Sequence, residues 1–205
     1  MKAGRRVKNM NDIKNALTDL LAYSDKDPQK ACELMHERFS GFLRMAQIPN
    51  VDVCSSLGEM NTVLLKVVAA LASRRVTESF KFGREYDENE FCKYVVSLYL
   101  GTTDEAVYFF PIDEKGRLNK PVNIGGGSLS SSVFLPRKIL EAMVRCGVAR
   151  GVVAHNHPYG NPNPSSQDLE VTKQMTDLML PMGKEIIAHY VVADDQVFKI
   201  DPKML

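Results

Sequence analysis

Two hydrophobic periods divide the chain. Up to about residue 80, apolar positions recur at three- and four-residue intervals, the spacing of helices that bury one face. Residues 12–22 place Ile13, Leu17, Leu20 and Leu21 in that spacing. Residues 29–39 put Cys32, Met35 and Phe39 on one stripe, with His36 at its edge as a surface histidine. Residues 41–46 predict a short third helix, which Ile48-Pro49-Asn50 breaks. The strongest run, residues 57–75, predicts a helix with Val63, Val67, Ala70 and Leu71 turned inward. Arg74 and Arg75 fall near its C-terminal end, where cations are favoured. The polar, basic residues 1–10 are expected to fray.

Beyond a charged linker around residues 78–89 the period changes. Glu88 or Asn89 opens a helix through residue 97, burying Phe91, Val95, Val96 and Leu98 or Tyr99. Residues 105–112 then read as a buried strand, in which Pro111 predicts an edge or a bulge on one side. Asp113-Glu114-Lys115-Gly116 turns into a return strand over residues 118–124. Gly125-Gly126-Gly127 and the serines 128–132 look like a phosphate cradle, but the Lys-Ser/Thr of a P-loop is missing. A bulged strand crossing is the better expectation there. Pro136 starts a helix that ends at Cys146, with Ile139, Leu140, Met143 and Val144 inward. A short strand over residues 151–154, a helix over 166–179 capped by Ser165, and strands over 185–192 and 196–200 complete the pattern. Strands alternating with helices predict an α/β domain with helices against a mixed sheet, over residues 85–205. Residues 1–80 form a separate, small all-helical domain.

Net charge is +1, which gives no argument for nucleic acid or membrane. Residues 1–80 hold 12 Lys+Arg against 9 Asp+Glu, a mild excess of positive charge. Cys32, Cys54, Cys92 and Cys146 lack a C-x-x-C spacing, so free thiols and a reducing, cytoplasmic setting are expected. Residues 1–10 lack the apolar stretch of a signal peptide, and no apolar run is long enough to span a bilayer, so no membrane partner is expected.

The candidate chemistry centres on His155-Asn156-His157-Pro158. Alternation on a strand points His155 and His157 the same way, about 6 to 7 Å apart along the strand. Asp168 follows after a proline-rich loop that can fold a carboxylate back over the strand end. Two histidines and one aspartate are three protein ligands, and three ligands plus water is the catalytic form of a zinc site. Each part has an ordinary explanation as well. An H-x-H pair on a strand end is most often not a metal site. Ser165-x-x-Asp168 also fits a helix N-cap with an acid in the first turn. Capping does not exclude ligation. As a cap, Ser165 would accept backbone N–H bonds while its proton stays free to donate to a developing oxyanion. His189, in an apolar strand, reads as a satisfied core histidine and not as a ligand.

The full string, H-x-H, seven residues, Ser, two residues and Asp, resembles the JAMM (MPN-type) metalloproteases. With His155-Asn156-His157-Pro158, Gly160 and the prolines, residues 105–205 look like the RadC branch of that family. The resemblance implies a cytidine-deaminase-like mixed sheet flanked by helices. It implies Zn2+ held by His155, His157 and Asp168, and hydrolysis of a peptide or isopeptide bond in a protein or peptide substrate. It assigns the proton shuttle to Glu105, at the start of E-A-V-Y-F-F-P-I-D. Asp104 is adjacent, so a one-residue slip of the strand would put the wrong carboxylate forward. One departure stands out: Tyr159 occupies the position where serine is usual, which bears on substrate preference rather than on metal binding. The N-terminal helices resemble the helix-hairpin-helix region in front of RadC domains, which implies an alternative role as a DNA repair or recombination factor. Here, Ser56-Leu57-Gly58 lacks one close-approach glycine and Glu59 follows it. Binding to duplex DNA through residues 1–80 is therefore expected to be weak, roughly 10⁻⁴ to 10⁻⁶ M.

Overall fold

The computed structural model describes residues 10–39, 42–126, 134–158 and 161–205. Five helices come first: α1 (Met10–Leu21), α2 (Pro28–Phe39), α3 (Phe42–Gln47), α4 (Asn50–Leu57) and α5 (Glu59–Ser79). Leu17, Leu21, Cys32, Met35, Phe39, Val53 and Leu65 share one buried cluster among them. His36 is exposed, as expected. Gly58, with φ +80, separates α4 from α5 in a conformation that disfavours side chains. The sequence pattern does not anticipate α4 as a helix of its own.

The expected inward stripe of α5 is overturned. Val63, Val67 and Leu71 are half or more exposed, and Ala70 is exposed beside them. Leu65 and Ala69 are buried instead, together with the polar Asn61 and Thr62. From Val63 to Ala72 every position but Lys66 is apolar, so periodicity alone cannot choose a face there. Polar contacts choose it. Asn61 donates to the Leu57 carbonyl and to Asp25, and Thr62 donates to the Gly58 carbonyl. Lys66 donates to the carbonyls of Ala46 and Ile48 at the end of α3. A buried amide such as that of Asn61 costs several kcal/mol if unpaired, comparable to the roughly 1.5–3 kcal/mol at stake for each valine or leucine fully exposed.

The remaining chain builds a mixed seven-stranded sheet. In chain order it contains β1 (Arg84–Glu85), α6 (Glu88–Tyr99), β2 (Ala106–Ile112), β3 (Arg117–Leu118), β4 (Val122–Gly126), α7 (Phe134–Cys146), β5 (Arg150–Asn156), α8 (Ser166–Met179), β6 (Glu185–Ala193) and β7 (Gln196–Ile200). The spatial order is β1-β3-β2-β5-β6-β7, with β4 also paired to β2. Among the described residues only the β5–β6 pair is parallel, bridged by α8. The return strand is split into β3 and β4. Pro111 sits opposite that break, where Asn119 N–H donates to its carbonyl, so its missing N–H falls on the interrupted side of β2.

Alternation sends successive side chains to two cores. Phe109 and Val153 join Ile139, Met143, Val171 and Met175 under α7 and α8. Phe110, Val152 and Ala154 join Phe91, Tyr94, Val95 and Tyr99 under α6. Covered on both faces, β5 is apolar without a break over residues 151–154, as strands buried between helices are. Gly151 is obligatory there, because a Cβ would lie 2.2 Å from the Phe109 ring. Helix α7 begins two residues before the proline expected to open it, and Val144, predicted inward, is 61% exposed. Gly125 and Gly126 lie in β4 beside a register shift, in keeping with the expected bulge. Serines 128–132 lie outside the described residues. The four cysteines are free thiols. Among the described residues no helix is long and apolar enough to cross a membrane.

Candidate metal centre

The parallel pair β5–β6 leaves a crevice at its carboxyl end, the usual place for a ligand in an α/β sheet. His155 is the penultimate residue of β5, and His157 follows just past its end. The expected common direction holds: His155 Nε2 and His157 Nε2 lie 3.0 Å apart. Asp168 reaches them from the first turn of α8, with Oδ1 at 3.2 Å from His155 Nε2 and Oδ2 at 3.4 Å from His157 Nε2. Donors 2.0–2.1 Å from a tetrahedral zinc would be about 3.3 Å from one another. The three side chains are therefore already at metal-binding separation, and among the described residues they form the one such group.

Hydrogen bonds aim each donor. Ser165 N–H donates to Asp168 Oδ2 at 2.7 Å, and Asp168 N–H donates to Ser165 Oγ at 3.1 Å, closing a capping box. The Ser165 hydroxyl proton also goes to Asp168 Oδ2, at 2.7 Å, so here it is engaged and not free. These bonds leave Asp168 Oδ1 facing His155. His157 Nδ1 donates to the Asn161 carbonyl at 3.0 Å. A carbonyl can only accept, so neutral His157 has its proton on Nδ1 and its lone pair on Nε2, toward the site. Two imidazoles and a carboxylate thus converge at 3.0–3.4 Å, a donor set that could hold a metal ion.

Burial pushes Asp168 up, but the imidazoles of His155 and His157 beside it, which can pair with it when protonated, and the bond from Ser165 outweigh burial and hold the carboxyl well below the usual range. The bond to Asp168 raises the His157 pKa, against burial, which lowers it. Burial, with His155 nearby, holds His189 well below 6.5, so it is neutral at pH 7.

A cleft of about 200 Å³ opens over the three side chains, and Glu105, Ser165 and His189 also line it. Glu105 is placed by Asn156, the residue between the two histidines. The β2–β5 ladder ends at Val107 opposite His155. There the Asn156 side chain takes over, accepting from Ala106 N–H at 2.8 Å and donating to the Asp104 carbonyl at 3.1 Å. Those two bonds straddle Glu105. Gly126 presses on the same segment from β4, where a Cβ would lie 1.7 Å from the Glu105 carbonyl oxygen. Asp104 is exposed and its carboxylate accepts from the Thr103 hydroxyl. Tyr159 lies outside the described residues.

Sequence reasoning passes over Asn156, Thr172 and the partner of His189. His189 is a buried, satisfied core histidine as expected, but one of its partners belongs to the candidate metal-binding group: its Nε2 lies 2.8 Å from His155 Nδ1. The only sequence trace of these contacts is polar side chains in otherwise apolar elements.

The RadC-like JAB domain family matches residues 86–203. A UPF0758 protein of Enterococcus faecalis is 28% identical over 154 residues, 75% of this chain and 66% of that protein. One from Syntrophotalea carbinolica is 36% identical over 84 residues, 41% of this chain and 37% of that protein. A third, from Geotalea uraniireducens, is 25% identical over 163 residues, 78% and 72% of the two chains. The chain thus spans about two thirds or less of the first two relatives' lengths.

Proposed function

The chain belongs to the RadC-like JAB domain family, and from that premise we propose that it is a zinc-dependent hydrolase that cleaves a peptide or isopeptide bond. The observation that carries the proposal is the convergence of His155, His157 and Asp168 at 3.0–3.4 Å with the His157 lone pair aimed inward. Nitrogen and carboxylate donors in a three-ligand, open set suit zinc. Zinc bound there would polarise the scissile carbonyl and lower the pKa of water toward 7.

The chain's own residues supply the rest. Glu105, held at the mouth of the cleft, takes the proton from the attacking water and delivers it to the departing amine. Asn156 fixes the backbone on both sides of Glu105, so the carboxylate keeps its distance from the histidines. Ser165 holds Asp168 and caps α8; in this role replacing it by Ala costs about 0.5–2 kcal/mol. Once a substrate is seated, the Ser165 hydroxyl lies close enough to the ligands to turn toward a developing oxyanion.

The test is a hydrolysis assay on peptide and isopeptide-linked substrates with full-length protein. Cleavage should stop on treatment with a strong chelator and return with stoichiometric zinc. Cleavage undiminished by complete metal removal would refute the proposal. The alternative, a DNA-associated repair factor in which the metal domain mediates interaction, predicts strong, salt-sensitive DNA binding. Titration of the full chain with duplex DNA at physiological salt should instead give a Kd no tighter than roughly 10⁻⁶ M. Sub-micromolar binding would favour the alternative.

A further inference from the structure

We propose that His189 and Thr172 are positioning residues that fix the tautomer and ring orientation of His155, so that its Nε2 lone pair faces the metal. The inference rests on the zinc reading above and extends it to residues outside the ligand set.

The direction of every bond follows from one backbone carbonyl. Thr172 Oγ1 donates its only proton to the Asp168 carbonyl at 2.6 Å. The same oxygen lies 2.7 Å from His189 Nδ1, so there it must accept, and Nδ1 must carry a proton. His189 is 1% exposed and has no carboxylate bonded to it, so the imidazole is neutral and its second nitrogen carries a lone pair. That nitrogen, Nε2, lies 2.8 Å from His155 Nδ1 and accepts from it. With Nδ1 protonated, neutral His155 has its lone pair on Nε2, which faces Asp168 Oδ1 and His157 Nε2.

The chain of bonds begins and ends on ligands. It runs from His155 on β5, through His189 on β6 and Thr172 on α8, to the main chain of Asp168. Thr172 stands one helical turn after Asp168, where a threonine hydroxyl can bond the carbonyl four residues back. Two ligands from different elements are therefore held at a fixed spacing by a buried, fully bonded path. His157 uses a separate anchor, the Asn161 carbonyl. Partners of ligating histidines commonly change metal affinity by roughly 10–100-fold when removed.

The experiment is a zinc affinity measurement on the full chain, by competition with a chromophoric chelator, paired with the visible spectrum of the cobalt-loaded protein. His189→Leu should weaken zinc binding about 10- to 100-fold and alter the cobalt spectrum. His189→Gln, which can accept from His155 and donate to Thr172, should recover most of the affinity. Thr172→Val should weaken binding in the same direction, and Thr172→Ser should restore it. Metal-free melting temperatures identify any variant that fails to fold; should His189→Leu fail, the Thr172 pair decides. Wild-type affinity in a folded His189→Leu or Thr172→Val variant would overturn the proposal. Equal weakening by Leu and Gln would also overturn it, since that outcome reports packing. Zinc binding by the wild type with no effect of the variants removes only this inference. No binding by the wild type removes the zinc reading itself.

Discussion

Glu105→Gln should lower turnover on any accepted substrate by on the order of 10²-fold or more, with zinc content unchanged. Glutamine keeps the size and much of the hydrogen bonding of the side chain, but it cannot take up a proton from water at neutral pH. Glu105 lines the cleft without joining the three converging donors, so its loss should leave the ion in place. Asp104→Asn is the matched control. Asp104 is exposed, bonded to Thr103 and not among the side chains that line the cleft, so its replacement should do little. Zinc lost from Glu105→Gln would make Glu105 a ligand. Activity kept in that variant and lost in Asp104→Asn would put the wrong carboxylate in the mechanism.

The second large effect concerns the ion. Protein purified without chelators should carry about one zinc per chain, as three-ligand sites do, and the His155→Ala/His157→Ala double variant should carry none by elemental analysis. Full occupancy in a folded double variant would end the metal reading. Uptake should also depend on pH. In the metal-free protein the bond to Asp168 raises the His157 pKa. Protonated His157 then stabilises that form below its unfolded pKa, about 6.5, and the contribution fades as pH rises through the folded value. Zinc must displace this proton, so apparent affinity should be flat above the folded pKa. Below it, affinity should fall by about tenfold per pH unit. Asp168 stays ionised throughout, because its carboxyl is held below the usual range. An affinity that rises on acidification would contradict the assignment.

The convergence of His155, His157 and Asp168 was legible in the sequence because three constraints coincide there. Strand alternation pairs His155 with His157, a proline-rich loop turns the chain back, and the cap at Ser165 fixes where α8 begins and so where Asp168 points. The expected cap forms, and it leaves the Asp168 carboxylate facing the two histidines. What was not legible is set by tertiary contact. The exposed Val63, Val67 and Leu71 show that a helical stretch apolar on every side carries no internal record of its buried face. The hold of Asn156 on Glu105, and the bond from His189 to His155, join residues about 50 and 34 positions apart. Local spacing cannot register such pairs.

The parallel pair β5–β6 with its bridging helix has a consequence for how the centre comes together. His155, His157, Asp168, Thr172 and His189 all lie in one uninterrupted β-α-β segment, whereas Glu105 arrives from β2 by antiparallel docking. On the proposed reading, the metal-holding side chains belong to a contiguous stretch of chain and the base to its neighbour. Peeling β2 away, by weakening the Asn156 clamp or by enlarging Gly126, should leave a protein that still captures zinc but turns over nothing. Metal occupancy and catalytic competence would then be separate milestones in the maturation of this chain, and a metal-loaded sample would not for that reason be an active one.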